Sequence, residues 1–282
     1  MNTPIPLALN TSTLRCGEVS LSDKIEATAE AGFSGIEPWA AELDAWVEDG
    51  RRLADLRREI AAAGLRTVNL IGFPRWASGD SDERARGLRE AGRLFAMAAE
   101  LECPAVAAPP AGIQRQRLPL SDVAARFAEL CAVARPFGVE PLLEYWGIAQ
   151  TLGTVGEALQ VAADAGPEGI RILADVFHTF KGSGGFSAFS YLNGDNLGLL
   201  HLNDVPSGPA APAREAMTDK DRVYPGDGCA PLAGILGNLR RSGFAGPVSV
   251  ELFNENYWSR PLREVARTAY SKATGVLSES GA

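Results

Sequence analysis

Short apolar runs rich in β-branched and aliphatic side chains alternate with longer amphipathic stretches along almost the whole chain, the pattern of βα units rather than of sandwiches or bundles. The runs predict eight strands: Ile5 to Asn10, Gly35 to Pro38, Thr67 to Ile71, Ala105 to Ala108, Glu140 to Tyr145, Gly169 to Asp175, Gly198 to Leu202 and Val248 to Leu252. Helical periodicity follows each of them, over Asp23 to Ala31, Arg51 to Ala63, Asp82 to Leu101, Asp122 to Phe137, Val155 to Ala165, Phe186 to Asn193, Leu232 to Ser242 and Pro261 to Val276. Ser22-Asp23 and Ser81-Asp82 read as N-caps, while Gly32, Gly64, Gly138, Gly166 and Gly243 stand just past apolar periodicity, where a left-handed terminating residue belongs.

An alternating chain of 282 residues with no boundary linker closes most naturally as one (β/α)8 TIM barrel spanning residues 1–282, near the length of about 250 usual for that α/β fold. A doubly wound open sheet would place a glycine-rich phosphate loop after the first strand, and Asn10 to Cys16 reads NTSTLRC instead. The longest irregular stretch, Asn203 to Gly228, is too long for an idle connector and reads as an active-site loop, or as a contact in a homo-oligomer.

Composition narrows the class. With 46% hydrophobic and 22% charged residues the chain can bury a sizeable core. A net charge of −8 repels phosphate backbones and anionic headgroups, so neither nucleic acid nor a membrane surface is an expected partner. The N-terminal MNTPIPLALNTSTLRC has neither a basic region nor an apolar run of signal-peptide length. Cys16, Cys103, Cys131 and Cys229 form no CxxC pair, as expected of free thiols in a reducing compartment, and the protein reads as cytoplasmic.

Barrel enzymes build their sites at the C-terminal ends of the strands, so the polar residue ending each apolar run is the informative one. Four consecutive predicted strands end in Glu144, Asp175, His201 and Glu251. Each taken singly is readable as an ordinary strand-end hydrogen-bonding residue, but three carboxylates meeting at one barrel mouth are costly without a cation. One divalent metal ion resolves the conflict. An oxygen-rich set with one imidazole suits Mn2+ or Mg2+ by hardness, Mn2+ first, and Co2+ or Zn2+ also accept such ligands.

Around this set, His178 follows Asp175 by three residues and is placed to meet a substrate hydroxyl or carbonyl, and Arg222, in the long loop, to clamp an oxyanion. Trp39, Trp146, Trp258 and Tyr257 fall just beyond strands two, five and eight, where they could wall a polyol ring. Glu37 and Asn69 end strands two and three and either reach the pocket or brace the scaffold.

Leu143-Glu144, Asp175-Val176-Phe177-His178, His201-Leu202-Asn203-Asp204, the run Thr218 to Gly228, and Val248 to Phe253 followed by Tyr257-Trp258 carry a resemblance to a known family. From about Leu7 to Val276 the chain resembles the xylose-isomerase-like TIM-barrel sugar isomerases and epimerases, and among them the inosose (2-keto-myo-inositol) isomerases. The resemblance implies Glu144, Asp175, His201 and Glu251 as metal ligands, Glu144 and Glu251 as the acid/base pair across the substrate, and His178 and Arg222 on its oxygens. Asp204 matches a family position without an assigned role. The implied chemistry is proton transfer through a cis-enediolate of a keto-polyol such as an inosose or ketohexose, with no organic cofactor. Tyr145-Trp146, Thr179-Phe180-Lys181 and the insertion Pro206 to Arg214 depart from the family pattern near the mouth, leaving the exact substrate open.

The competing class is a metal-dependent lyase on the same scaffold, dehydrating 3-dehydroshikimate or cleaving a 3-keto-glycoside. A repair nuclease of the endonuclease IV type needs a histidine-rich three-metal site that two histidines cannot furnish. A non-catalytic sugar sensor predicts a broken ligand set, and all four ligands are present.

Overall fold

A computed structural model of the chain describes residues 5–166 and 169–281; the first four residues of the N-terminal segment considered above lie outside the described residues. Eight parallel strands form one sheet: β1 (Leu7–Asn10), β2 (Gly35–Glu37), β3 (Arg66–Thr67), β4 (Ala105–Ala108), β5 (Glu140–Glu144), β6 (Ile172–Asp175), β7 (Leu197–Leu202) and β8 (Val248–Val250). Their order is β3-β2-β1-β8-β7-β6-β5-β4, so first and last strands are neighbours. The segment following β3 meets the other edge strand, β4, through a parallel bridge between Leu70 and Val106, in which Leu70 N–H donates to Ala105 O (3.1 Å) and Ala107 N–H to Leu70 O (2.9 Å). That bridge closes the TIM barrel.

The side-chain period of two divides the strands cleanly. Leu9, Ile36, Val106, Leu143, Ile172, Ala174, Leu200, Leu202, Val248 and Val250 pack outward in the main core. Ala105, Ala107, Leu142, Leu173 and Leu199 belong to a separate buried cluster with Ile71 that fills the interior. The helices of the outer ring are α1 (Leu21–Ala31), α2 (Ala40–Glu48), α3 (Leu53–Ala62), α4 (Ser81–Glu100), α5 (Leu120–Ala134), α6 (Val155–Asp164), α7 (Val176–Ser183), α8 (Leu232–Arg241), α9 (Glu255–Trp258) and α10 (Leu262–Glu279).

Several expectations shift. Ser20 and Asp80, rather than Ser22 and Ser81, cap α1 and α4, accepting from Asp23 N and Glu83 N; capping requires extended backbone, and both residues have it. Gly32, Gly64, Gly138, Gly166 and Gly243 all take positive φ as expected. The pattern over Phe186 to Asn193 forms a 3-10 turn, Ser187–Tyr191, in place of a helix. Strand three, expected over Thr67 to Ile71, is Arg66–Thr67, with Asn69 beyond it and Leu70 and Ile71 in isolated bridges; strand six starts at Ile172, and strand eight ends at Val250, which leaves Glu251 one residue beyond the ladder. The four cysteines are unpaired, and no helix of the described residues is long and apolar enough to cross a membrane.

Candidate functional site

The interior layer of Leu142, Leu173 and Leu199 is followed two residues on by Glu144, Asp175 and His201, so period two carries all three side chains to the same face one layer higher. Asp175 and His201 are paired across β6 and β7, and His201 is paired with Ser249, which puts Glu251 on that face as well. Each of the four is at least nine-tenths buried.

Asp175, His201 and Glu251 each bring one ligand atom within 4.8 Å of the others. His201 Nδ1 lies 3.2 Å from Glu251 Oε2 and 3.8 Å from Asp175 Oδ2, yet has no hydrogen-bond partner. Its other nitrogen, Nε2, lies 3.0 and 3.1 Å from the two oxygens of Glu37. An unpartnered imidazole nitrogen facing two carboxylates is a donor set that fits a divalent cation. Glu144, the fourth predicted ligand, stands outside that triplet and lines the adjoining cavity.

Arg222, 1% exposed, crosses the cluster. Its Nη1 donates to Asp175 Oδ2 (2.9 Å) and Glu251 Oε2 (2.6 Å), and its Nη2 to Asp219 Oδ1 (2.5 Å) and His178 Nε2 (3.2 Å). A guanidinium only donates, so His178 accepts at Nε2 and carries its proton on Nδ1, which has no partner. Asp175 Oδ1 caps α7 through His178 N (2.7 Å), and its Oδ2 also accepts from Asn203 Nδ2 (2.9 Å).

Without a metal the carboxylates separate. Burial pushes Glu144 up to about 8, opposed by His201 and reinforced by Glu251 and Asp175. Burial also disfavours charge on Glu251, but His201 and Arg222 outweigh it and hold that carboxyl below the ordinary range. Burial pushes His178 down, towards the neutral ring.

A cavity of about 180 Å3 opens here, bounded by Glu144, Glu251, His178, Asp219 and Arg222 on its polar side and by Trp39, Ile71, Phe73, Trp146, Ile148 and Phe253 on its apolar side. Trp39, Phe73 and Trp146 run edge to face, with ring centroids 5.3 and 5.1 Å apart, and Phe253 joins Trp39 at 5.9 Å. Trp258 is not part of that lining: its indole donates to Ser12 O (2.9 Å). Tyr257 stacks on Tyr224 at 4.0 Å. Tyr145 points to the opposite face from Glu144, its hydroxyl 2.5 Å from that of Thr179, so of the Tyr145-Trp146 pair only the tryptophan meets the cavity.

The long loop delivers Asp219 and Arg222 to this cavity. Asp204 anchors it, accepting from the backbone N–H of Gly226 and Gly228 (3.0 Å each) and of Ala230 (2.9 Å). Sequence reasoning missed Asp219, Ile71, Phe73, Ile148 and Phe253 as lining residues. Asp219 and Phe253 fall inside the motif runs already singled out, whereas Phe73 and Ile148 sit in loops without periodicity.

The model of the family described as xylose isomerase-like TIM barrel matches residues 25–273. The chain belongs to this family. Within the family, an inosose isomerase of Halalkalibacterium halodurans is 32% identical over 152 residues, covering 54% of this chain and 52% of that protein. A 3-dehydroshikimate dehydratase of Pseudomonas aeruginosa is 29% identical over 251 residues, covering 86% of this chain and 38% of that protein. The chain thus spans about half the length of the inosose isomerase it matches, and less of the dehydratase. A crystal structure of IolI protein with a bound zinc atom superposes with a TM-score of 0.88 at 23% identity, covering 98% of this chain and 99% of that one, a likeness of fold.

Proposed function

We propose that this family member is a divalent-metal-dependent isomerase or epimerase of an uncharged keto-polyol, an inosose or a ketohexose. The observation that carries the reading is the convergence of Asp175 and the unpartnered His201 Nδ1 on Glu251, which lines an aromatic-walled cavity together with Glu144. Asp175, His201 and Glu251, with Glu144 as a fourth donor, would hold the ion; when bound, it supplies Lewis-acid stabilisation of the enediolate charge, with Mn2+ the first candidate by hardness.

The residues supply the rest. Glu251, on the cavity wall, takes the proton from the carbon beside the ketone. Glu144, on the same cavity, handles the proton at the neighbouring carbon. The Nδ1–H of His178, a buried donor with no protein partner, meets a substrate oxygen. The rings of Trp39 and Trp146 take the C–H faces of the polyol and exclude water.

Charge argues for a neutral substrate. Arg222 is the one cationic side chain among the described residues lining the cavity, and both its terminal nitrogens are already bonded to Asp175, Glu251, Asp219 and His178. A substrate carboxylate or phosphate would find no free cationic side chain in that lining and would depend on the ion alone. The second reading, a lyase of the 3-dehydroshikimate type, is favoured by the dehydratase alignment, which runs over 86% of the chain.

Proton NMR in D2O separates the two, using Mn2+-loaded protein with 2-keto-myo-inositol and a keto-sugar panel, the products read after metal removal. Isomerisation gives α-deuteration and an isomeric product, reduced about 10²- to 10⁴-fold in Glu251→Gln. An unsaturated product establishes the lyase, and no exchange on any panel member overturns the substrate assignment.

A further inference from the structure

Glu37 lies at the floor of the site with none of its surface exposed, and four side chains converge on its carboxylate. Asn69 Nδ2 donates to Oε1 (2.7 Å), and Asn10 Nδ2 (2.8 Å) and Ser249 Oγ (2.7 Å) donate to Oε2. His201 Nε2 sits between the two oxygens. The orientation of Asn10 is set by its own partners: its Oδ1 accepts from Trp39 Nε1 (2.8 Å) and Ser12 N (2.9 Å), so its NH2 faces Glu37 and, at 3.1 Å, Glu251 Oε1.

A carboxylate occupied by four donors is not itself a free ligand. It does have one consequence for its neighbour. An ionised carboxylate accepts and never donates, so the nitrogen of His201 that faces it must carry a proton. The other nitrogen, Nδ1, is the one facing Asp175 and Glu251. Resting on the metal-site reading above, we infer that Glu37 is a positioning residue that fixes His201 with its proton on Nε2 and so presents the Nδ1 lone pair to a divalent cation. Asn10, Asn69 and Ser249 serve this role by holding the Glu37 carboxylate still. Asn10 further ties it to Glu251 and to the cavity wall at Trp39.

The chain has only two histidines, so histidine-selective 15N labelling reads His201 with one other ring in the spectrum. In the Zn2+-loaded parent, a diamagnetic form, the expected signature is a metal-bound Nδ1 and a slowly exchanging Nε2–H shifted downfield by its carboxylate partner. Glu37→Gln keeps the shape but removes the charge. Its Zn2+ affinity, measured by chelator competition, is expected to fall about 10- to 100-fold, with the Nε2–H resonance moving upfield and exchanging faster. Ser249→Ala removes one donor from Glu37 without touching His201 and should give a smaller loss of the same kind, which keeps the test open if Glu37→Gln misfolds. A Zn2+-bound Nε2 in the parent, or Glu37→Gln with parental affinity and an unmoved resonance, overturns the role of Glu37 and leaves the metal site standing. A well-folded parent that binds neither Zn2+ nor Mn2+ overturns both.

Discussion

Glu144 is the residue whose environment is most at odds with its charge. In the metal-free protein its carboxyl keeps its proton up to about pH 8, because burial, and then Glu251 and Asp175, oppose ionisation. In the unfolded chain the same group ionises near 4.5. The folded state therefore holds the extra proton across that window, and metal-free stability falls as pH rises from about 4.5 through about 8, then levels off. Glu144→Gln removes this titration. In the presence of a chelator its melting temperature should decline less between pH 6 and pH 9 than the parent's; parallel curves would show that Glu144 ionises freely in the fold. Glu144, Asp175, His201 and Glu251 were legible in the sequence because each interrupts an apolar run at its C-terminal end, a local signal. The role of Glu37 was not, because its partner His201 lies 164 residues away and nothing in either strand records the pairing. Asp219 was hidden for another reason: it reaches the cavity only through the path of a loop, and loops carry no periodicity.

At the level of elements, α7 and the long loop act together. The Nζ of Lys181, in α7, donates to three backbone carbonyls, those of Arg214 (2.8 Å), Glu215 (2.8 Å) and Met217 (2.7 Å). These lie just before Asp219 and Arg222, so the helix that starts at Asp175 also pins the segment that brings the guanidinium in. The segments Thr179-Phe180-Lys181 and Pro206 to Arg214 thus meet in space at Lys181 and Arg214. Lys181→Met keeps the aliphatic stem and deletes the donors. Limited proteolysis between residues 206 and 217 should speed up about 5- to 10-fold, as a local loss of about 1 kcal/mol requires, with little change in global melting temperature. Unchanged cleavage would mean the loop is held by other contacts. Seven of the strands were readable because apolar runs mark them whatever their partners; β3 was displaced, its ladder being Arg66–Thr67 while the apolar Leu70 and Ile71 form only isolated bridges. Helices α2, α7 and α9 were not readable, being short and beginning one to four residues after strand-end or site residues, where functional side chains break the apolar period. For α7 the cap is Asp175 itself, so one residue ends a strand, starts a helix and offers a ligand.

Across the whole molecule, the sheet order explains why the site is where it is. Strands β5, β6, β7 and β8 are consecutive neighbours, so their ends deliver Glu144, Asp175, His201 and Glu251 to one side of the mouth, while β1 and β2 close the floor with Asn10 and Glu37. The result gathers carboxylates at one pole of a chain already carrying a net charge of −8. Arg222 offsets part of that charge through Asp175 and Glu251, and a divalent ion between the same groups would offset more, so ion binding should be felt by the entire fold. At a free ion concentration about 100 times its dissociation constant, linkage gives about 2.7 kcal/mol of stabilisation. For a chain of this size that corresponds to a melting temperature roughly 5 °C higher with Mn2+ than after chelation. The shift should return on re-addition of Mn2+ and shrink to near zero in Asp175→Asn, which weakens the donor set. Melting curves that coincide with and without Mn2+ would leave Arg222 as the cation that balances these carboxylates and would remove the basis for metal-assisted proton transfer.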